Sequence, residues 1–132
     1  MELVKEKSLA VLTKEQLQAS MPKKFRHNVT DEMIDFINTT EGDEFRDIYK
    51  ENLVGFADVI EGGRYKMLDY INAVKFVSYK LIGDSNTIAY AKTFPDRYQR
   101  LVDKNTPMKT ISSFSTAYNK GDLVHKILER TL

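Results

Sequence analysis

Between Tyr65 and Ile82 the sequence is apolar around nearly the whole circumference of a helix, and a helix without a polar face has to be enclosed. Met67, Leu68, Tyr70, Ile71, Ala73, Val74, Phe76, Val77, Tyr79, Leu81 and Ile82 leave no continuous hydrophilic stripe. Such a segment sits at the centre of a core and is touched from several sides. No uninterrupted apolar run in the chain approaches the ~20 residues needed to cross a bilayer. The surrounding chain therefore has to supply other helices or strands to cover it.

The punctuation supplies helices. Thr13-Lys14-Glu15-Gln16 has the form of a capping box, opening a helix that stops near Ser20-Met21 ahead of Pro22. Lys23 to Asn28 reads as an exposed basic connector. Thr30 caps a helix with Asp31 and Glu32 in its first turn and Met33, Ile34 and Ile37 as its apolar stripe. Phe45, Ile48, Tyr49, Leu53, Phe56, Val59 and Ile60 then define one amphipathic helix ended by Gly62-Gly63.

After the enclosed segment, Gly83-Asp84-Ser85-Asn86 makes a turn that can also cap the next helix. Three short helices and a closing one follow. The first carries Ile88, Ala89 and Tyr90 inward. The second opens at Pro95, with Tyr98, Leu101 and Val102 as its apolar face. The third opens in the same way at Pro107 and buries Met108, Ile111, Phe114 and Tyr118. Asp122 caps the last, which packs through Leu123, Val124, Ile127 and Leu128. No stretch alternates with period two for long enough to be a strand. The expected fold class is all-α: a compact helical domain with an acidic N-terminal helical segment and a helix-turn-helix-like C-terminal half.

Charge divides the chain at the same Gly-Gly pair. Residues 1–63 hold 8 Lys/Arg against 13 Asp/Glu, whereas residues 64–132 hold 12 against 6. Two segments are expected accordingly: 1–63, for oligomerisation or partner binding, and 64–132, a basic helix-turn-helix-like domain. A basic half points to an anionic partner, and the phosphate backbone is the commonest, since neutralising it releases condensed counterions. Opposite halves could equally attract each other.

Several chemistries are excluded or disfavoured. The chain has no cysteine, so disulfides, zinc fingers and thiolate catalysis are out. It has neither a phosphate-binding Gly-x-x-x-x-Gly-Lys loop nor a dinucleotide fingerprint. Glu41, Asp43, Glu44 and Asp47 are explained by the dipole at a helix start, without a metal. Pro95-Asp96 lacks the later acid-x-Lys of a nuclease. His27 and His125 are far apart, and His125 reads as half-buried beside Val124 and Ile127. Ser112, Ser113 and Ser115 have no base beside them. The tyrosines at helical spacing read as core with polar tips. No catalytic residue, cofactor or metal is expected, and neither a signal peptide nor a membrane span; the chain reads as soluble and intracellular.

The best-defined motif runs from Phe76-Val77-Ser78-Tyr79-Lys80-Leu81 through Asn86-Thr87-Ile88-Ala89-Tyr90 to Phe94-Pro95. A helix, a glycine-bearing turn and a second short helix with a small buried alanine is the grammar of a helix-turn-helix. The spacing of Phe76, Val77, Tyr79, Leu81, Asn86, Ala89, Tyr90, Ile111, Leu123, Val124 and Ile127 resembles bacteriophage small terminase subunits over residues 70–130 or so. The family's segment after the second helix is replaced here by Thr93-Phe94-Pro95-Asp96, and a helix over 96–104 is inserted. The acidic helical half also precedes the motif instead of following it.

That resemblance implies a ring-forming, non-catalytic factor in the cytoplasm of an infected bacterium. It would bind double-stranded packaging DNA and present it to the large terminase subunit, whose motor it regulates. The basic residues expected to hold DNA are Lys80, Lys92, Arg97, Arg100, Lys104 and Lys109. A virion or host-takeover module that binds protein instead of DNA is the alternative, and a dimeric transcription regulator a third.

Overall fold

The computed structural model of the protein describes residues 11–40 and 42–132. Its described residues form eight α-helices and two 3-10 helices and contain no strand, so the chain is all-α. In order these are α1 (Lys14–Ser20), a 3-10 helix (Lys23–Asn28), α2 (Asp31–Asn38), α3 (Asp43–Gly55), a second 3-10 helix (Ala57–Ile60), α4 (Met67–Leu81), α5 (Asn86–Thr93), α6 (Pro95–Asp103), α7 (Met108–Asn119) and α8 (Asp122–Arg130). The chain divides into two units between Ile71 and Asn72, inside α4 and later than the Gly-Gly pair.

The N-terminal unit is assembled by caps and by side chains that behave like backbone. Thr13 and Gln16 form the expected capping box: the Gln16 N–H donates to the Thr13 hydroxyl at 3.1 Å, and the Thr13 N–H donates to Gln16 Oε1 at 2.9 Å. The Asn38 amide pairs with both backbone groups of Leu12, each at 2.9 Å, and so ties the end of α2 to the start of α1. Residues 23–28 are not simply an exposed connector, because Phe25 is buried and anchors them as a 3-10 helix.

The helix expected to run to Ile60 breaks at Gly55, where the chain tightens into the second 3-10 helix. Tyr49, Leu53, Ala57 and Ile60 nevertheless stay on one buried stripe. The tighter winding keeps them aligned, since residues three apart eclipse in a 3-10 helix. Two fully buried tyrosines then cross-link this stripe to α4. Tyr49 donates its hydroxyl to the Ile71 carbonyl at 3.1 Å, and Tyr70 donates to the Leu53 carbonyl at 2.6 Å.

In α4, every residue from 73 to 79 is buried, including Lys75 and Ser78. That run spans almost two turns, so no side of the helix meets water there. Leu68, Leu81 and Ile82, at the two ends, are about half exposed. The helix stops in a Schellman motif. Gly83 has φ +111°, its N–H donates to the Lys80 carbonyl at 3.0 Å, and the Asp84 N–H donates to the Tyr79 carbonyl at 3.1 Å. Asn105 (φ +57°) closes α6 in the same way.

In the C-terminal unit, α5 lies most closely along α7 and next along α6. Its core is aromatic. Tyr118 sits edge-on to Phe76 at 4.9 Å and to Phe94 at 5.0 Å, with Tyr90 at 6.1 Å. Several sequence expectations shift by a residue or a face. Within the expected turn it is Ser85 that caps α5; Pro107 and Gly121 are caps, so Asp122 is the first residue of α8. Ile88, Val102, Met108 and Phe114 point to solvent, because each helix buries a narrower strip than its periodicity allows: Ala89, Tyr90 and Thr93 in α5, Ile111 and Ser115 in α7. His125 is exposed and lies 3.6 Å from Glu129.

Three outcomes follow for stability. Removing the Tyr70 hydroxyl (Tyr70→Phe) should cost about 1–2 kcal/mol in urea unfolding, since it strips a buried carbonyl of its donor. Burial first, and Asp58 second, lift the Tyr70 phenol well above its ordinary value. The unfolded chain loses this proton near pH 10 while the folded one keeps it, so the contribution is intact below that pH and declines above it. The decline should reach about 1.4 kcal/mol per pH unit and be flatter in Tyr70→Phe. Gly83→Ala should cost about 1–2 kcal/mol by thermal unfolding through backbone conformation alone, because its Cβ would meet nothing within 4 Å.

Candidate nucleic-acid interface

Of the basic residues expected to face DNA, two are spent inside the C-terminal unit. Lys80 donates to Asn119 Oδ1 at 2.6 Å and lies 6.0 Å from the Phe76 ring, joining α4 to the end of α7. Lys92 pairs with Asp84 at 2.9 Å and covers the Tyr79 ring at 5.2 Å. Both ammonium groups already have a hydrogen-bond acceptor and an aromatic face. Lys80 thus bridges α4 and α7, and Lys92 bridges α5 and the turn before it, whereas the other four expected residues have no such contacts with carboxylates among the described residues.

The other four are outward. Arg97, Arg100 and Lys104 recur at i, i+3 and i+7, which places them within an arc of about 60° on α6. All three are exposed and have no carboxylate partner among the described residues. The neighbouring arc, with Tyr98 and Leu101, is the half-buried side of the helix. Asp103 stands off the cationic strip, where it accepts from Gln99 Nε2 at 2.9 Å. The Arg97 guanidinium lies 4.1 Å from the Phe94 ring centroid, within cation–π range. Phe94 is in turn held edge-on by Tyr118. One arginine of the strip is thus stacked on a ring belonging to the core, which limits its rotamers.

Lys109 heads a second surface, on α7. It lines a shallow groove of about 490 Å³ with Ser112, Ser113, Thr116, Ala117 and Lys120. The two lysines stand about 16 Å apart at 1.5 Å rise per residue, and the residues between them are small or hydroxyl-bearing. Ser113 returns its hydroxyl to the Lys109 carbonyl at 3.1 Å; Lys109 and Lys120 have no ion partner among the described residues. Small side chains let a polyanion come close to the helix, while hydroxyls and ammonium groups are the usual donors to phosphate oxygens. Sequence reasoning missed Lys120 and the hydroxyls, although their spacing of i, i+3/i+4, i+7 and i+11 from Lys109 is legible as one helical face.

Ser115 is buried and bonds the Ile111 carbonyl at 3.0 Å. No group of three or more metal-ligating side chains occurs among the described residues; Glu41 of the acidic cluster lies outside them. Buried Lys75 has its amine pushed down by desolvation. None of the described helices is long and apolar enough to cross a membrane. Comparison of the chain with protein-family models, with characterised proteins and with solved structures returns no match.

Proposed function

We propose that the C-terminal unit grips the phosphate backbone of double-stranded DNA through the α6 strip and the α7 groove. The observation that carries this reading is the unneutralised row Arg97, Arg100 and Lys104. Three cations held on one strip repel each other, so the arrangement is costly unless an anion lies against it. Residues 72–132 hold 10 Lys/Arg against 5 Asp/Glu, which extends the favourable field beyond the strip itself. The groove adds Lys109 and Lys120 with three hydroxyl side chains.

In the fuller form of the proposal the chain is a non-catalytic factor of viral genome packaging. It acts in an infected bacterium as a homo-oligomeric ring that delivers DNA to the large terminase subunit. The support for this part is the motif spacing over residues 70–130. A protein-binding role without DNA is favoured instead by one feature: Leu81, Ile82 and Ile88 stand about half exposed around a single corner.

Fluorescence anisotropy with a short duplex across a salt series separates these readings. DNA binding should weaken with a log–log slope of about −0.9 per phosphate neutralised. Arg97→Glu with Arg100→Glu should cost at least tenfold at low salt and flatten the slope by about 2. Absence of binding at low salt overturns the DNA reading. A nuclease-resistant stoichiometric protein complex lost in Ile88→Asp would favour the other. Light scattering with and without the duplex tests the ring.

A further inference from the structure

The N-terminal unit holds a trough that the DNA reading does not use. It lies between α1 and α3, and its volume is about 510 Å³. Val11, Leu12 and Ala19 form one apolar side; Val54 closes the other, with Val11 53% and Val54 42% exposed. Exposed valines on both rims of one trough are costly in water, at about 25 cal/mol per Å² of apolar surface. On the α3 side Asp47, Glu51 and Val54 follow at i, i+4 and i+7, and on the other Gln16 and Ala19 stand one turn apart on α1, with Leu12 just ahead of that helix. The α3 row, about 10 Å long, is a ridge of the kind against which a further helix packs.

Charge selects the occupant. Asp47 and Glu51 place carboxylates on two successive turns of α3 along the trough, and Glu44 lies one turn earlier on the same helix. Lys50 is the one cation lining it among the described residues, and its side chain is only 8% exposed, 3.9 Å from Asp47. Burial holds the Lys50 amine below its ordinary value, against the pull of Asp47. The outward field of the rim is therefore acidic, as expected of a segment with 13 Asp/Glu against 8 Lys/Arg.

We infer that this trough docks a short amphipathic helix of another protein, one with a two-turn apolar stripe flanked by Lys or Arg. Apolar side chains at i, i+4 and i+7 fill the space between Val11, Ala19 and Val54. Basic residues beside them meet Asp47 and Glu51, which set orientation and partner choice more than affinity. The inference is independent of DNA binding, because it concerns only residues of the N-terminal unit.

The test uses the full chain and two labelled 14-residue helical peptides with leucine at i, i+4 and i+7, one flanked by lysines and the other by glutamates. The lysine peptide should bind at least tenfold more tightly in fluorescence anisotropy. Val54→Asp should cost it at least tenfold with an unchanged circular dichroism spectrum, and Glu51→Lys should reverse the preference between peptides. Equal binding of both peptides, no binding, or indifference to Glu51→Lys overturns the inference. Concentration-dependent self-association abolished by Val54→Asp would assign the trough to a second copy. Peptide binding that emerges only when residues 1–10 are deleted would assign it to the chain's own start.

Discussion

Seven consecutive buried residues in α4 are the constraint on which the rest of the structure depends. A helix normally offers one side to water, so a run of nearly two turns with none must have neighbours all round. The burial includes the aliphatic stem of Lys75 and the hydroxyl of Ser78, and no buried side-chain polar atom among the described residues lacks a partner. Tyr70 and Phe76, on either side of the division of the chain, do different work. Tyr70 donates its hydroxyl to the Leu53 carbonyl in the N-terminal unit, beside the Tyr49 hydroxyl that donates to Ile71, whereas Phe76 receives the edge of Tyr118 in the C-terminal one. One helix thus contributes a polar lock to one core and an aromatic wedge to another.

The electrostatics are organised by consumption. A basic residue near a carboxylate, an amide oxygen or a ring is satisfied within the fold, as Lys80 and Lys92 are. What remains uncommitted is narrower than the sequence total and better arranged: a row on α6 and two lysines bounding the hydroxyl-lined groove of α7. Surface ion pairs are worth little individually, so the pairs of the described residues say less about stability than about which charges are withdrawn from outside contact. The Phe94–Arg97 stack matters for the same reason, because it fixes the direction of a charge that no carboxylate restrains.

Much of the local structure was legible in particular residues. Thr13 with Gln16, Thr30, Pro95 and Gly83 act as boundaries because each has an intrinsic conformational or hydrogen-bonding reason to do so. Faces were less legible. Ile88, Val102, Met108 and Phe114 satisfy a helical period yet face solvent, since short helices with several apolar residues offer more than one possible inward arc. The break at Gly55 was also hidden: Tyr49, Leu53 and Ile60 stay buried across it, while Ala57 takes the inward place expected of Phe56 and Val59, which are half-buried. At the candidate interface Arg97, Arg100 and Lys104 stood out by their charge, but Lys120 and the hydroxyl residues between it and Lys109 did not, although they share one helical face, because serine and threonine mark neither a core nor a charged surface.

The sequence by itself determined that this chain is helical, where most helices begin and end, and that the segment after Gly62-Gly63 had to be enclosed. Those properties are local: caps, prolines, glycines and apolar spacing act within a few residues. Only the tertiary structure decided which cations are spent, which apolar residues stay exposed, and that a trough opens between α1 and α3. Each of those depends on which residues distant in sequence come within a few ångströms of one another. Lys80 meets Asn119, and Tyr70 meets Leu53, only because whole helices have packed.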